Sequence, residues 1–282
     1  MNDMHSFGTS KFIALQDGRK LHYMEKGSGN PTVVFESGLG FSRSTWGLVQ
    51  PVVSERVRAV VYDRAGTGRS EPDPAPRTLR AMAGDLNALL TALGPGPFVL
   101  VGHSWGGAIV RAAAAASPER IRGIVLVDQS DEHCELYFSY ASKMQFSSSR
   151  YLIPMLAHTR LYRAVGGKPG SVQPADVTAD HHKEDFTVQA ARTAAAETAQ
   201  FLTELKLLKE QPPELGSIEV CVISGTKTTW LERKIRPSVV AAHQQTVARL
   251  KNARWVEAPQ SGHLIPYSEP DVIIKEIFTM LE

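Results

Sequence analysis

Cysteine is nearly absent from this chain of 282 residues: Cys134 and Cys221 are the only two. They fit no metal-ligand spacing and read as isolated, buried or half-buried thiols, as expected in a reducing compartment. Long apolar runs are also missing. Stretches such as 124–127 are strand-sized, far short of the roughly 20 residues a membrane-spanning helix needs. Neither sign of charge dominates, since 31 lysines and arginines face 29 aspartates and glutamates for a net charge of +2. Without a basic stripe or an acidic tail, neither nucleic acid nor an anionic membrane is expected as the main partner. The first seven residues, Met1-Asn2-Asp3-Met4-His5-Ser6-Phe7, lack a basic segment followed by an apolar one. No secretory signal is expected, and the reading is cytoplasmic. Internal repeats and low-complexity segments are absent too.

What is present is a chain with 43% hydrophobic residues, enough for a sizeable core. Short β-rich runs alternate with helical stretches. Residues 11–15 and 20–25 read as an antiparallel pair turning at Asp17-Gly18. Thr32-Val33-Val34-Phe35 is a continuous apolar run of the kind buried on both faces, and 57–62, 98–101, 121–127 and 218–223 repeat it, with 254–256 as a last strand. Thr78 predicts an N-cap, followed by Leu79, Met82, Leu86, Leu89, Leu90 and Leu93 at helical spacing and a stop at Gly94-Pro95. Further helices are predicted over 108–116, 239–250 and 271–282. This alternation predicts an α/β fold with a mostly parallel sheet flanked by helices.

One stretch breaks the rhythm. Residues 129–216 hold no convincing strand, but carry apolar and aromatic residues at helical spacing from Leu136 to Leu156, a proline- and glycine-rich break over 166–174, and a helical run over 186–210. So long a connection exceeds an ordinary crossover. The expected organisation is a core from 1–128 and 217–282, with 129–216 inserted as a helical cap.

Ser104 is the leading candidate nucleophile. It lies in Gly102-His103-Ser104-Trp105-Gly106-Gly107, between an apolar strand and an Ala-rich helix. A sharp turn there lifts the hydroxyl clear of the sheet, and the flanking glycines avoid collisions. The helix start offers unpaired N–H groups, that of Trp105 aimed at a tetrahedral oxyanion. A serine hydroxyl needs an adjacent base. Of nine histidines, His263 in Gln260-Ser261-Gly262-His263 follows the last strand, where the order Ser…acid…His puts the base. His181-His182 reads as solvated surface rather than a metal site, and His103 as packing. For the acid, the loop after the penultimate strand has no carboxylate before Glu232. Asp128, at the end of the preceding strand, is on the same sheet edge as Ser104 and is preferred over Glu232, with Asp131 and Glu132 behind them. Glu257 reads as structural. Leu39, in the glycine loop Ser37-Gly38-Leu39-Gly40, is the expected second oxyanion donor beside Trp105. The turn 62–70 contains no P-loop Lys-Ser/Thr pair, and its Asp63 and Arg64 read as braces for neighbouring loops.

Together the Ser-Gly-Leu-Gly loop, Asp-Arg-Ala-Gly-Thr-Gly-Arg-Ser, Gly-His-Ser-Trp-Gly-Gly and Ser-Gly-His resemble the α/β-hydrolase fold family over nearly the whole chain. The resemblance implies an eight-stranded sheet, a variable cap, and Ser104 as nucleophile, His263 as base, and Leu39 and Trp105 as oxyanion donors. Two departures stand out. Ser37-Gly38 replaces the usual His-Gly, and the acid is missing from its usual loop, although some relatives place it where Asp128 lies. Ser104 argues against the aspartate-nucleophile dehalogenases and epoxide hydrolases of this fold. The expected activity is hydrolysis of an ester, lactone or amide bond of a small hydrophobic substrate without cofactor or metal. The alternatives are carbon–carbon bond hydrolysis or aminopeptidase activity on the same triad, or a non-enzymatic small-molecule receptor. Oligomeric state is not legible.

Overall fold

The structure is a computed structural model that describes residues 5–157, 159, 167, 169–228 and 233–282. Its eight strands are β1 (Thr9–Ala14), β2 (Lys20–Lys26), β3 (Thr32–Glu36), β4 (Ala59–Tyr62), β5 (Phe98–His103), β6 (Ile121–Val127), β7 (Glu219–Gly225) and β8 (Ala253–Ala258). They form one sheet in the order β1-β2-β4-β3-β5-β6-β7-β8. β1 pairs antiparallel with β2, β2 antiparallel with β4, and every later pairing is parallel.

The continuous apolar runs make sense once both faces are seen to be covered. Side chains alternate across a strand, so neighbouring residues enter different cores. Val34, Val60, Leu100, Ile124, Leu126, Val220 and Val222 join one buried cluster. Val33, Phe35, Val61, Val99, Val101, Val125, Val127, Cys221 and Ile223 join the other. The first cluster is closed by helices α1 (Leu79–Leu93) and α2 (Trp105–Ala116). Thr78 caps α1 by accepting from the Ala81 N–H at 3.2 Å.

Between β6 and β7 the described residues contain no strand. They form α3 (Tyr140–Ala157), α4 (Ala175–Glu184) and α5 (Val188–Glu210). α5 sends Phe201, Leu205 and Leu208 into the first cluster. After β7, α6 (Arg236–Arg249) and α7 (Pro270–Leu281) complete the chain, with α7 covering the second cluster.

Two expectations need correction. α2 begins at Trp105 rather than at residue 108. Gly106 and Gly107 are poor helix formers, but they sit where a side chain would not fit: a Cβ on Gly106 would lie 2.6 Å from the Glu36 carbonyl oxygen, and one on Gly107 2.6 Å from Gln129 Cβ. Close packing, not propensity, sets the helix start. His181 is not on a solvated surface. It is fully buried, with Nδ1 2.7 Å from Asp185 Oδ2 and 3.1 Å from Ser44 Oγ. Asp180, Glu184 and Asp185 beside it reach partners on the core, while Lys183 stays exposed.

Candidate active site

The carboxyl ends of β5 and β6 both finish in backbone that L-residues rarely adopt. Ser104 follows β5 with φ 53° and Asp128 follows β6 with φ 41°, and these are the non-glycine residues of positive φ among those described. Such strain concentrates at functional sites. It persists here because hydrogen bonds fix both residues: the Ser104 N–H donates to Val127 O at 3.0 Å, and the Asp128 N–H to Ile223 O at 2.8 Å. The glycines of the turn are sterically required, since a Cβ on Gly102 would lie 2.5 Å from the Gly106 carbonyl oxygen.

His263 arrives from the far edge of the sheet. Its loop lies directly on the end of β7, where a Cβ on Gly225 would sit 1.9 Å from the Gly262 carbonyl oxygen. His263 Nε2 is 3.0 Å from Ser104 Oγ, and Nδ1 is 2.7 Å from Asp128 Oδ2. Burial pushes the Asp128 carboxyl up, but the hydrogen bond and charge of His263, the His243 imidazole and the Arg236 guanidinium outweigh it and hold it well below the usual carboxylate range. An ionised carboxylate only accepts. Nδ1 therefore carries the proton, and Nε2 is left to accept from the serine hydroxyl.

Asp128 is itself held. Arg236 Nη1 donates to Oδ1 at 2.7 Å and to Oδ2 at 2.8 Å, and the Gly225 N–H donates to Oδ1 at 3.0 Å. Arg236 escaped sequence reasoning because nothing local to position 236 marks it; it opens α6 and meets its partner only through the fold. Asp131 and Glu132 are engaged elsewhere. Asp131 accepts from Gln129 and Thr246, and Glu132 pairs with Arg111 at 2.6 Å. Glu257 is exposed, and Glu232 lies outside the described residues.

His103, between Gly102 and the serine, does more than fill space. Its Nε2 lies 2.9 Å from the His263 carbonyl oxygen and must carry a proton to bond it. Burial and the neighbouring His263 push its pKa down to about 3, so the ring stays neutral at ordinary pH and ties the His263 loop down as a donor. On the other side of the serine, Ser130 Oγ is 3.4 Å from Ser104 Oγ.

Trp105 is the first residue of α2, so its N–H has no intrahelical acceptor. Leu39 lies in a tight turn closed by the Phe41 N–H to Gly38 O at 3.2 Å. The turn is close to the serine: a Cβ on Gly38 would come within 3.2 Å of Ser104 Cβ. The Trp105 ring meets Phe201 of α5 edge-on at 4.9 Å, and Phe201 stacks on Phe146 of α3 at 4.7 Å. Among the described residues, no group of three or more His, Cys, Asp or Glu side chains is arranged to hold a metal ion, and no helix is long and apolar enough to cross a membrane.

Known proteins share both the pattern and the shape. The sequence pattern of the alpha/beta hydrolase family matches residues 33–276. "Uncharacterized protein YqjL" of Bacillus subtilis is 26% identical over 265 residues, covering 93% of this chain and 88% of that one. "Putative carbamate hydrolase RutD" of Caulobacter vibrioides is 26% identical over 279 residues, covering 96% and 97%. In shape, a thermophilic esterase from Thermogutta terrifontis superposes with a TM-score of 0.72 at 20% identity, covering 97% of this chain and 98% of the esterase. With its eight-stranded, mostly parallel sheet and the family pattern running through most of its length, this chain belongs to the alpha/beta hydrolase family.

Proposed function

We propose that the protein is a serine hydrolase that cleaves an ester-type bond of a small hydrophobic substrate through an acyl-enzyme. One observation carries the reading: Ser104 Oγ, His263 and Asp128 stand in line, at 3.0 Å and 2.7 Å. His263 Nε2 takes the Ser104 proton as Oγ attacks the carbonyl carbon. Asp128 keeps the imidazole in the tautomer that can accept and stabilises the imidazolium that results. The oxyanion is received by the N–H groups of Leu39 and Trp105, each such donor being worth about 2.7–4 kcal/mol in the transition state. The imidazolium returns its proton to the leaving alcohol. Water, deprotonated by the same imidazole, then releases the acid and restores Ser104.

Residues 129–216 act as a cap over this site in the same reading, with the core formed by 1–128 and 217–282. The aromatic contact from Trp105 through Phe201 to Phe146 supports an apolar acyl or alcohol group beneath the cap. A carbamate is within reach of the same chemistry, since its carbonyl passes through the same tetrahedral oxyanion.

A panel of 4-nitrophenyl esters of increasing acyl length, with phenyl carbamates alongside, tests the reading. Ser104→Ala is expected to lose turnover by up to about 10⁶-fold, and Asp128→Asn by about 10⁴-fold. Turnover surviving in Ser104→Ala contradicts the proposal.

A further inference from the structure

The loop carrying the Leu39 N–H is gripped from outside the site. Arg64, in the turn after β4, donates from Nη1 to Ser37 O at 2.6 Å and from Nη2 to Gly38 O at 2.7 Å. Its Nε and Nη2 also reach Glu197 on α5, at 2.9 Å and 3.0 Å. Glu197 Oε2 in turn accepts the Gly40 N–H at 2.9 Å. Arg64 is 2% exposed and Glu197 not at all, so neither water nor salt screens the pair.

The Gly38 carbonyl and the Leu39 N–H belong to one planar peptide unit. A guanidinium that fixes the oxygen therefore fixes where the N–H points, and polarises it further. We propose that Arg64 and Glu197 are positioning residues for the oxyanion site, so that a helix of the inserted segment sets the orientation of the Leu39 N–H. The inference rests on the serine-hydrolase reading above and adds a coupling to it. Glu197 completes the two-pronged grip on Arg64 and holds the next N–H of the loop. When α5 is seated the oxyanion donor is aimed, and when α5 lifts Arg64 keeps Glu36 as its carboxylate partner, so the 38–39 peptide loses the half of its hold that Glu197 supplies.

A second buried tie from the insertion supplies the control. Glu184 Oε2 accepts from Arg43 Nη1 at 2.7 Å and Glu184 Oε1 from Arg69 Nε at 2.7 Å, with no contact to residues 37–40 in either bond. A tie that merely anchors the insertion should behave alike at both places.

The probe is a fluorescent fluorophosphonate, whose phosphoryl oxygen would occupy the oxyanion site as Ser104 Oγ attacks phosphorus and fluoride leaves. Rate constants for labelling are compared for wild type, Glu197→Gln and Glu184→Gln, each shown to melt cooperatively. Glu197→Gln is expected to label about 10- to 100-fold more slowly, below the 10²–10³-fold cost of deleting a donor outright. On 4-nitrophenyl acetate its kcat should fall with KM within about threefold, because the oxyanion forms only in the transition state. Glu184→Gln should stay within about threefold of wild type in both assays. Arg64→Lys, which keeps the charge but not the fork, stands in should Glu197→Gln not melt cooperatively, with the same slowing expected. Wild-type rates in the Glu197 and Arg64 variants, or equal slowing in Glu197→Gln and Glu184→Gln, overturn the coupling and leave the serine-hydrolase reading intact. A wild-type protein that takes no label overturns both.

Discussion

The two parts of the helical segment between β6 and β7 are attached to the rest of the chain by different physics. The later part, α4 and α5, is bolted to the core by buried polar groups. Arg43 joins Asp63 of the core at 2.6 Å to Glu184 at 2.7 Å, and also reaches Asp180. Arg64 does the same between Glu36, at 2.5 Å, and Glu197, at 2.9 Å. Gln173 accepts the Gly47 N–H at 2.9 Å, and Asp185 accepts from the Ser44 hydroxyl at 2.5 Å. The earlier part, α3, contains no fully buried residue. It packs on α5 through groups such as Phe146, while Tyr140, Tyr151 and Met155 are 80%, 66% and 61% exposed. Apolar contact is non-directional and tolerates sliding, whereas a buried ion pair has one geometry and leaves an uncompensated charge when broken. The bolted half thus has a single seat, and it is the half that touches Trp105, next to Ser104.

The largest effect should come from removing a bolt. Arg43→Ala removes the cation that Asp63 and Glu184 share, leaving Asp63 with His22 and Glu184 with Arg69, and is expected to cost about 3 kcal/mol in chemical denaturation. A loss below about 1 kcal/mol would mean the polar ties are not what hold α4.

Acid should narrow the difference between the halves. Burial pushes the carboxyls of Asp63 and Asp180 up, but Arg43 and His22 around the first, and His5, Arg43 and Arg69 around the second, hold both below the usual carboxylate range. A lowered folded value means that the stabilisation is complete above the unfolded value, about 3.9, and is lost as pH falls below it. Hydrogen-exchange protection of α4 should therefore exceed that of α3 at pH 7 and drop towards it as pH falls from about 4 to 3. Protection of α4 that persists unchanged to pH 3 would contradict the comparison.

The smallest effect belongs to the loose half. Tyr151→Ser and Met155→Ser should each change stability by less than about 0.5 kcal/mol in the same denaturation assay. A larger loss would show that α3 is seated more firmly than its exposure indicates.

Much of the fold could be read because its signals are local. A parallel strand buried on both faces is a run such as 32–35, and a capped helix such as 79–93 carries its own start and stop. That Ser104 and His263 would meet was legible, because a turn and a chain order mark them. Asp128 could be named only as one choice among several carboxylates, since what puts it 2.7 Å from His263 is a loop folding back across 135 residues of sequence. Arg236 and Glu197 lay beyond reach for the same reason, and Arg64, legible as a brace for neighbouring loops, could not be given its partner. Each looks like an ordinary charged side chain until the fold supplies a partner, as Glu197 does for Arg64 across 133 residues. His181 misled in the opposite direction, because charged neighbours suggest solvent when nothing shows that they turn inward.

The central claim is that Ser104 is the nucleophile, and intact-protein and peptide mass spectrometry after fluorophosphonate treatment tests it most directly. The account predicts one adduct per chain, on the peptide containing Ser104, and none in Ser104→Ala. An adduct on another residue, or equal labelling of wild type and Ser104→Ala, would contradict it.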